Sequence, residues 1–453
     1  MTTDDLLRNG LGRTLFSMTW PMLFGVVSLL GFQLVDSAFI GQLGVRPLAA
    51  MGFTMPMMQF IIGTQVGIGI ATTAVISRVL GAGDSDRARR LGGLVVIAGA
   101  GVMLCLCLAI WTFRHGIVTA LGAEPDLLPL IDRYWVPWLM AVWVGAVLYF
   151  GYSVCRAHGE TRLPGLMMVA TSLVNLVLDP LYIFVFGWGL PGAALATLTA
   201  FSFGAVIVYP RVAARSWLAF DLSALPPVPA LRELTGIAGP AMMSQLMPPV
   251  SASLATKLVA GFGASAVAAW GLGTRLEFFS IVVVLALTMS MPPMIGRFLG
   301  AGDLDSARRL VRLAVRFVVA WQLGIALLWL ALSGLIPALL TQDATVAGIV
   351  GDYLVRVPLS YGGLGVCMLM VSVSNALGLP VRALVISIVR LFVCFLPALW
   401  IGSQLGGLTG LFSGALAGNI AAGLLSWGLY RQGLRALEAR MERERSEAAP
   451  ETA

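Results

Sequence analysis

The sequence predicts an all-α polytopic membrane protein: 12 transmembrane helices in two pseudo-symmetric six-helix lobes with a central cavity. Three observations lead there. A dozen apolar stretches fill a 453-residue chain that is 58% hydrophobic and only 11% charged. Arginines gather in alternate breaks between those stretches. One 14-residue segment returns 219 positions further on. A soluble chain would be roughly a quarter charged. The apolar content excludes disorder, the missing Gly-X-Y period excludes collagen, and five cysteines in so long a chain exclude a disulfide scaffold.

At about 1.5 Å of rise per residue and about 30 Å of hydrocarbon, each stretch can cross a bilayer once as a helix. In the first half the spans fall at about 14–39, 47–77, 92–113, 127–155, 163–186 and 189–211. In the second they fall at about 232–259, 265–296, 312–336, 346–376, 382–403 and 407–431. Proline removes a backbone hydrogen bond, so Pro21 is expected to interrupt span one, Pro240 and Pro248-Pro249 span seven, and Pro292-Pro293 span eight.

The net charge is +7, carried by 28 arginines and Lys257. A basic soluble chain would point to nucleic acid; here the arginines follow membrane topology, and no nucleic-acid partner is expected. Arg78, Arg87, Arg89 and Arg90, Arg156 and Arg162, Arg211 and Arg215, and Arg297, Arg308 and Arg309 lie in loops of one side. The opposite loops hold little beyond Arg46 and Arg114. The positive-inside rule then places both termini in the cytoplasm of a multi-pass inner (plasma) membrane protein, which requires an even number of spans. The first 14 residues carry Asp4 and Asp5 and no small-residue cleavage site, so the first apolar run reads as a retained helix. The cysteines show no ligand spacing with His115 or His158, so no cofactor and no structural metal is expected.

The internal repeat is the most informative feature. Residues 78–91 (RVLGAGDSDRARRL) return as 297–310 (RFLGAGDLDSARRL), identical at 11 of 14 positions. The same shift superposes Pro21 on Pro240, Gly44 on Gly263, Gly52 on Gly271, Tyr134 on Tyr353 and Gly159 on Gly378. Each half therefore has six spans in the same orientation, and parallel repeats of this kind place a substrate cavity between them. The expected division is an N-terminal lobe at 1–212, a proline-bearing cytoplasmic linker at 213–231, a C-terminal lobe at 232–433 and a cytoplasmic tail at 434–453. The Gly-Ala-Gly-Asp loop lacks a preceding strand and a following Gly-Lys-Ser/Thr, which argues against a phosphate-binding loop.

Ionisable residues inside spans are expensive and mark substrate or ion paths. Asp36 lies in the last turn of span one, and Asp179 roughly 24 Å into span five. Asn175 is one turn below Asp179 on the same face, since i and i+4 align. Tyr134 and Thr197 enter from spans four and six at similar depth. An aspartate pair with Asn, Thr and Tyr can share a proton or hold Na⁺ through the oxygens of Asp36, Asn175, Asp179 and Thr197. The shift maps Asp36 onto Ala255 and Asp179 onto Ala398, so the second half lacks this pair. Glu277, near the midplane of span eight, is expected to form an ion pair with Arg275 or with a neighbouring helix, or to meet substrate.

Taken together, the two six-span repeats, Pro21 and Asp36 in span one, the repeated Gly-Ala-Gly-Asp loops, Asn175 to Pro180 (NLVLDP), Gly192 to Thr197 (GAALAT) and Arg275-Leu-Glu277 resemble the multidrug and toxic compound extrusion (MATE) transporters. The first-half acids resemble the DinF-like branch. That resemblance implies roles for Asp36, Tyr134, Asn175, Asp179 and Thr197 in proton or sodium binding and in drug release. Only Glu277 fits the NorM-like branch, which places key acids in the second half. The implied activity is secondary active antiport by alternating access: amphipathic, cationic organic compounds leave in exchange for H⁺, with Na⁺ the second choice, and helix one rearranges at Pro21. The expected partners are small organic substrates and membrane lipid, and the expected state is a monomer. A flippase for lipid-linked precursors is the nearest alternative and a passive channel a further one. No catalytic motif points to an enzyme.

Overall fold

The computed structural model describes residues 10–221 and 225–448, with side chains through residue 443. The described chain is helical throughout, without strands. The helices are α1 (Leu11–Gln42), α2 (Val45–Gly52), α3 (Met55–Gly81), α4 (Ser85–Ala120), α5 (Leu128–Ala157), α6 (Arg162–Pro180), α7 (Gly189–Ala214) and α8 (Pro227–Ala260). They continue as α9 (Ala264–Ser280), α10 (Val282–Gly300), α11 (Leu304–Leu332), α12 (Leu335–Leu340), α13 (Ala344–Arg356), α14 (Tyr361–Ala376), α15 (Pro380–Ile388) and α16 (Leu396–Ala448). Wider π-helical turns follow α6 at Leu181–Val185 and α15 at Val389–Phe395.

Ten described helical runs are long and apolar enough to span a bilayer. The last of them, Pro380–Arg443, is broken at Gly406 and Gly407, whose backbones leave helical geometry between the expected spans eleven and twelve. α8 runs unbroken from Pro227 to Ala260, so Pro240 and Pro248-Pro249 do not interrupt it.

Three expectations change. α1 and α10 run unbroken through Pro21 and Pro292-Pro293, so these prolines do not interrupt their helices. α1 also continues to Gln42, which leaves Asp36 well short of its end rather than in the last turn. The linker is shorter than 213–231, because α8 already begins at Pro227. Proline is tolerated in a first helical turn, where its missing N–H has no partner to lose. Toward the C-terminus α16 is helical to Ala448; the remainder of the expected tail, Asp4, Asp5 and the linker positions 222–224 lie outside the described residues.

The repeat is visible in local geometry. Gly83 and Gly302 both adopt positive φ, 87° and 74°, which a side chain would resist. Each turn hands over to an aspartate cap: the Asp84 carboxylate accepts from the Arg87 N–H at 2.9 Å, and Asp303 from the Ser306 N–H at 3.0 Å.

Two compact units emerge, Met1–Gln245 with Pro292–Ala301, and Leu246–Met291 with Gly302–Ala453. In the first, α3 and the end of α10 cross backbone to backbone. A Cβ on Gly81 would stand 2.3 Å from the Arg297 carbonyl oxygen, and one on Gly300 2.0 Å from that of Arg78. A Cβ on Gly296 would stand 1.9 Å from the Ser77 hydroxyl. Residues 77, 78 and 81 map onto 296, 297 and 300 by the repeat shift, so the crossing is reciprocal.

Beside it, the linker is strapped to α4. The Ala219 N–H donates to the Arg89 carbonyl at 3.0 Å, and Trp217 stacks on His158 with centroids 4.5 Å apart. His158 Nδ1 donates to the Val154 carbonyl at 3.0 Å, and Arg297 donates to the His158 carbonyl at 3.1 Å. Burial pushes the imidazole down to about 4 and the Arg297 charge adds to this, although the Val154 bond acts the other way. The unfolded chain takes up this proton below about 6.5, the folded chain only near 4. Stability that is whole above pH 6.5 is therefore lost as pH falls toward 4, on the order of 3 kcal/mol. Melting curves of wild type and His158→Gln between pH 7 and pH 4.5 check this: wild type should lose stability more steeply, and parallel curves would refute it.

The second unit is organised around Tyr353, Tyr361, Trp270 and Phe412, all buried, with Trp270 and Phe412 stacked at 6.3 Å. At its polar end Arg308 pairs with Asp305 and with Glu438 of α16, and Arg382 donates to the Leu429 carbonyl at 3.1 Å.

Candidate functional site

In the first unit, α1, α5, α6 and α7 bring the expected residues together. Asp179 is fully buried, Asn175 and Tyr134 are buried, and Asp36 and Thr197 are half-buried. Asn175 is the hub. With its amide turned so that nitrogen meets the carboxylate, Nδ2 donates to both Asp179 oxygens at 2.7 and 2.9 Å. Its Oδ1 then accepts from the Thr197 hydroxyl at 2.9 Å and N–H at 3.1 Å. That orientation is assigned from the bonding pattern. Asp179 and Asp36 lie near enough for their charges to repel, and Tyr134 stands beside Asp36 and Thr54. Asp36 Oδ1 is buried without a hydrogen-bond partner among the described residues.

The backbone around Asp179 is built for this contact. Pro180 has no N–H, and the helix widens into the π turn that follows, a feature frequent at functional sites. α7 can lie against that turn because residue 192 is glycine: a Cβ there would meet the Tyr182 carbonyl oxygen at 2.8 Å. Gly192→Ala is expected to push Thr197 away from Asn175 and destabilise the unit by about 1–3 kcal/mol. Thermal melting with the alanine variant reads this; an unchanged midpoint would contradict it.

In the second unit Glu277 accepts from the Tyr353 hydroxyl at 3.3 Å, and Tyr353 meets Tyr361 at 3.5 Å. The expected ion pair with Arg275 does not form among the described residues. Residues two apart on a helix point about 200° apart, so Arg275 is exposed while Glu277 turns inward. Arg390, on the second π turn, acts on Glu277 through its charge and makes no ion pair among the described residues. Tyr353 is the repeat mate of Tyr134, so each unit sets a tyrosine at this position beside an acid drawn from a different helix.

Sequence reasoning missed Thr54 and Tyr361, single hydroxyls without a pattern. It also missed Asp352, which pairs with Arg356 one turn on and accepts from Thr409 at 2.9 Å. No cluster of three or more His, Cys, Asp or Glu exists among the described residues.

A sequence model of the MatE family matches residues 21–181 and 240–401, two copies that begin on the repeated prolines Pro21 and Pro240. The chain belongs to the MatE family. MATE proteins are transporters, not enzymes, and this chain is a polytopic transporter of that family. It is similar to the MATE transporter VcmN of Vibrio cholerae in its bent form, with TM-score 0.93 and 53% identity over 96% of this chain and 99% of that one. It is 31% identical to a protein of Shewanella oneidensis named FAD transporter, over 94% of this chain and 96% of the relative. It is 26% identical to the multidrug export protein MepA of Staphylococcus aureus, over 62% of this chain and 63% of MepA. In this MATE chain the two units are alike in helical frame and unlike in acids.

Proposed function

We propose that this MATE chain is a secondary active antiporter that exports amphipathic, cationic organic compounds in exchange for protons, acting as a monomer in the plasma membrane. The observation that carries the reading is Asp36 Oδ1, a buried carboxylate oxygen without a partner in the field of Asp179. Two carboxylates in an apolar setting cannot both hold charge cheaply, so a proton or cation resides there in one state of the cycle. Taking up a proton lowers the negative charge of the pair by one and lets α1 rearrange at Pro21, which expels cargo. Asn175 favours H⁺ over Na⁺: its nitrogen occupies both Asp179 oxygens, and its own oxygen is turned to Thr197. When Asp179 carries the proton, its O–H can donate to the amide oxygen, so the amide can reorient with the proton.

An inward proton supplies about 1.4 kcal/mol per pH unit and about 2.3 kcal/mol per 100 mV. A second reading takes a flavin dinucleotide as cargo, favoured by the near full-length match to the FAD transporter. Proteoliposomes loaded with a fluorescent organic cation, or with FAD, test both under separate pH and sodium gradients. The pH gradient alone is expected to drive accumulation. Dependence on sodium alone would move coupling to the second-choice ion, and response to neither gradient would overturn antiport in favour of a channel or a lipid-linked precursor flippase.

A further inference from the structure

α11 differs from its repeat mate α4 on one face. Arg309, Arg312 and Arg316 are exposed, and none forms a hydrogen bond or ion pair among the described residues. Spacings of three and four place them on one face over about 10 Å. That face continues through Leu323 and Leu327, 53% and 54% exposed, while Leu310, Ala314, Val318, Gln322 and Ala326 line the buried side.

Below Arg316 the helix is free of charge from residue 317 to Leu332, 16 positions and thus about 24 Å of rise. Hydrocarbon is about 30 Å thick, so the shortfall draws Arg316 to the level where phosphates meet acyl chains. Phe317 and Trp321, stacked at 6.1 Å and partly exposed, stand at the same level, where amphipathic rings collect. On α4 the corresponding positions are Arg90, Gly93 and Ile97: Arg90 is paired with Asp86 and Asp221, the linker covers Gly93, where a Cβ would lie 2.0 Å from the Ala219 carbonyl oxygen, and Ile97 is exposed but apolar. The first unit pairs or covers the first two of these positions with its own chain and leaves the third apolar. The second leaves it bare and charged.

We propose that the α11 face formed by Arg309, Arg312, Arg316, Leu323 and Leu327 binds an anionic phospholipid. The guanidiniums hold the phosphate, for which their planar fork is suited, and an acyl chain lies along the leucines. A zwitterionic lipid binds less well because its own cation competes for the phosphate.

Native mass spectrometry of the full chain, released from micelles of mixed phosphatidylglycerol and phosphatidylcholine, tests this. Wild type should retain phosphatidylglycerol preferentially. The triple variant Arg309→Gln, Arg312→Gln, Arg316→Gln should lose roughly a hundredfold of that preference, and the matching triple lysine variant should keep most of it. Arg431→Gln with Arg435→Gln, an equally exposed pair on α16, should change nothing. Arg316→Gln alone should lose about fivefold and serves if the triple variant does not fold. Full preference in the glutamine variants would overturn the proposal. An equal loss in the α16 control would do so too, by tracing the effect to net charge.

Discussion

Asp36→Asn and Asp179→Asn, made singly, are expected to uncouple export from the proton gradient. Each removes one of the two carboxylates proposed to share the exchanged proton, so cargo should no longer move against a proton. The loss can be sized. One proton supplies about 1.4 kcal/mol per pH unit, so under a gradient of about two units the steady-state accumulation ratio should fall by about a hundredfold. Folding should survive both changes. Asn at 36 replaces a carboxylate whose Oδ1 has no partner, and Asn at 179 still offers an oxygen to the Asn175 amide. Asp179→Leu differs, because it strands the buried Asn175 nitrogen and should cost about 1–3 kcal/mol of stability as well. Accumulation assays paired with thermal melting separate these outcomes. Wild-type accumulation in both asparagine variants would remove the acid pair from the mechanism.

Gly300→Val is expected to be among the most damaging single changes in the chain outside the acid pair. Its Cβ alone would stand 2.0 Å from the Arg78 carbonyl oxygen, and that neighbour is backbone, which cannot swing aside. Overpacking a flexible neighbour costs about 1–3 kcal/mol, and a rigid one more. Gly81→Val strikes the same crossing from the other side, where a Cβ would lie 2.3 Å from the Arg297 carbonyl oxygen. Because both break one contact, the double variant should cost clearly less than the sum of the singles. Gly324→Ala supplies the contrast. It sits inside α11 with nothing within 4 Å of a new Cβ, and should be neutral or stabilising by about 0.5–1 kcal/mol. Melting temperatures of the four variants decide; full additivity of the two valine changes would refute a shared crossing.

Much of the frame was legible in the sequence because it rests on local chemistry. Apolar runs and Gly-Asp punctuation are written in the chain, and Asp84 and Asp303 cap their helices where the repeat puts them. Asn175 beside Asp179 follows from a spacing of four. What was not legible depends on packing. Pro21 looks like a break, yet α1 passes through it, because one missing N–H is a small loss in a helix of 32 residues. Arg275 looks like the partner of Glu277, but a spacing of two turns them apart, and the real partner, Tyr353, is 76 residues away. The Gly81–Gly300 crossing joins residues 219 apart, and no local signal reports that distance.

The most direct measurement is proton release when cargo binds the purified protein in weakly buffered detergent solution. If the two first-unit aspartates exchange a proton for cargo, wild type releases protons as it saturates with cargo. Asp36→Asn and Asp179→Asn should bind cargo with that release abolished or sharply reduced. Saturating binding without a pH change in wild type, or undiminished release from both variants, would contradict that exchange.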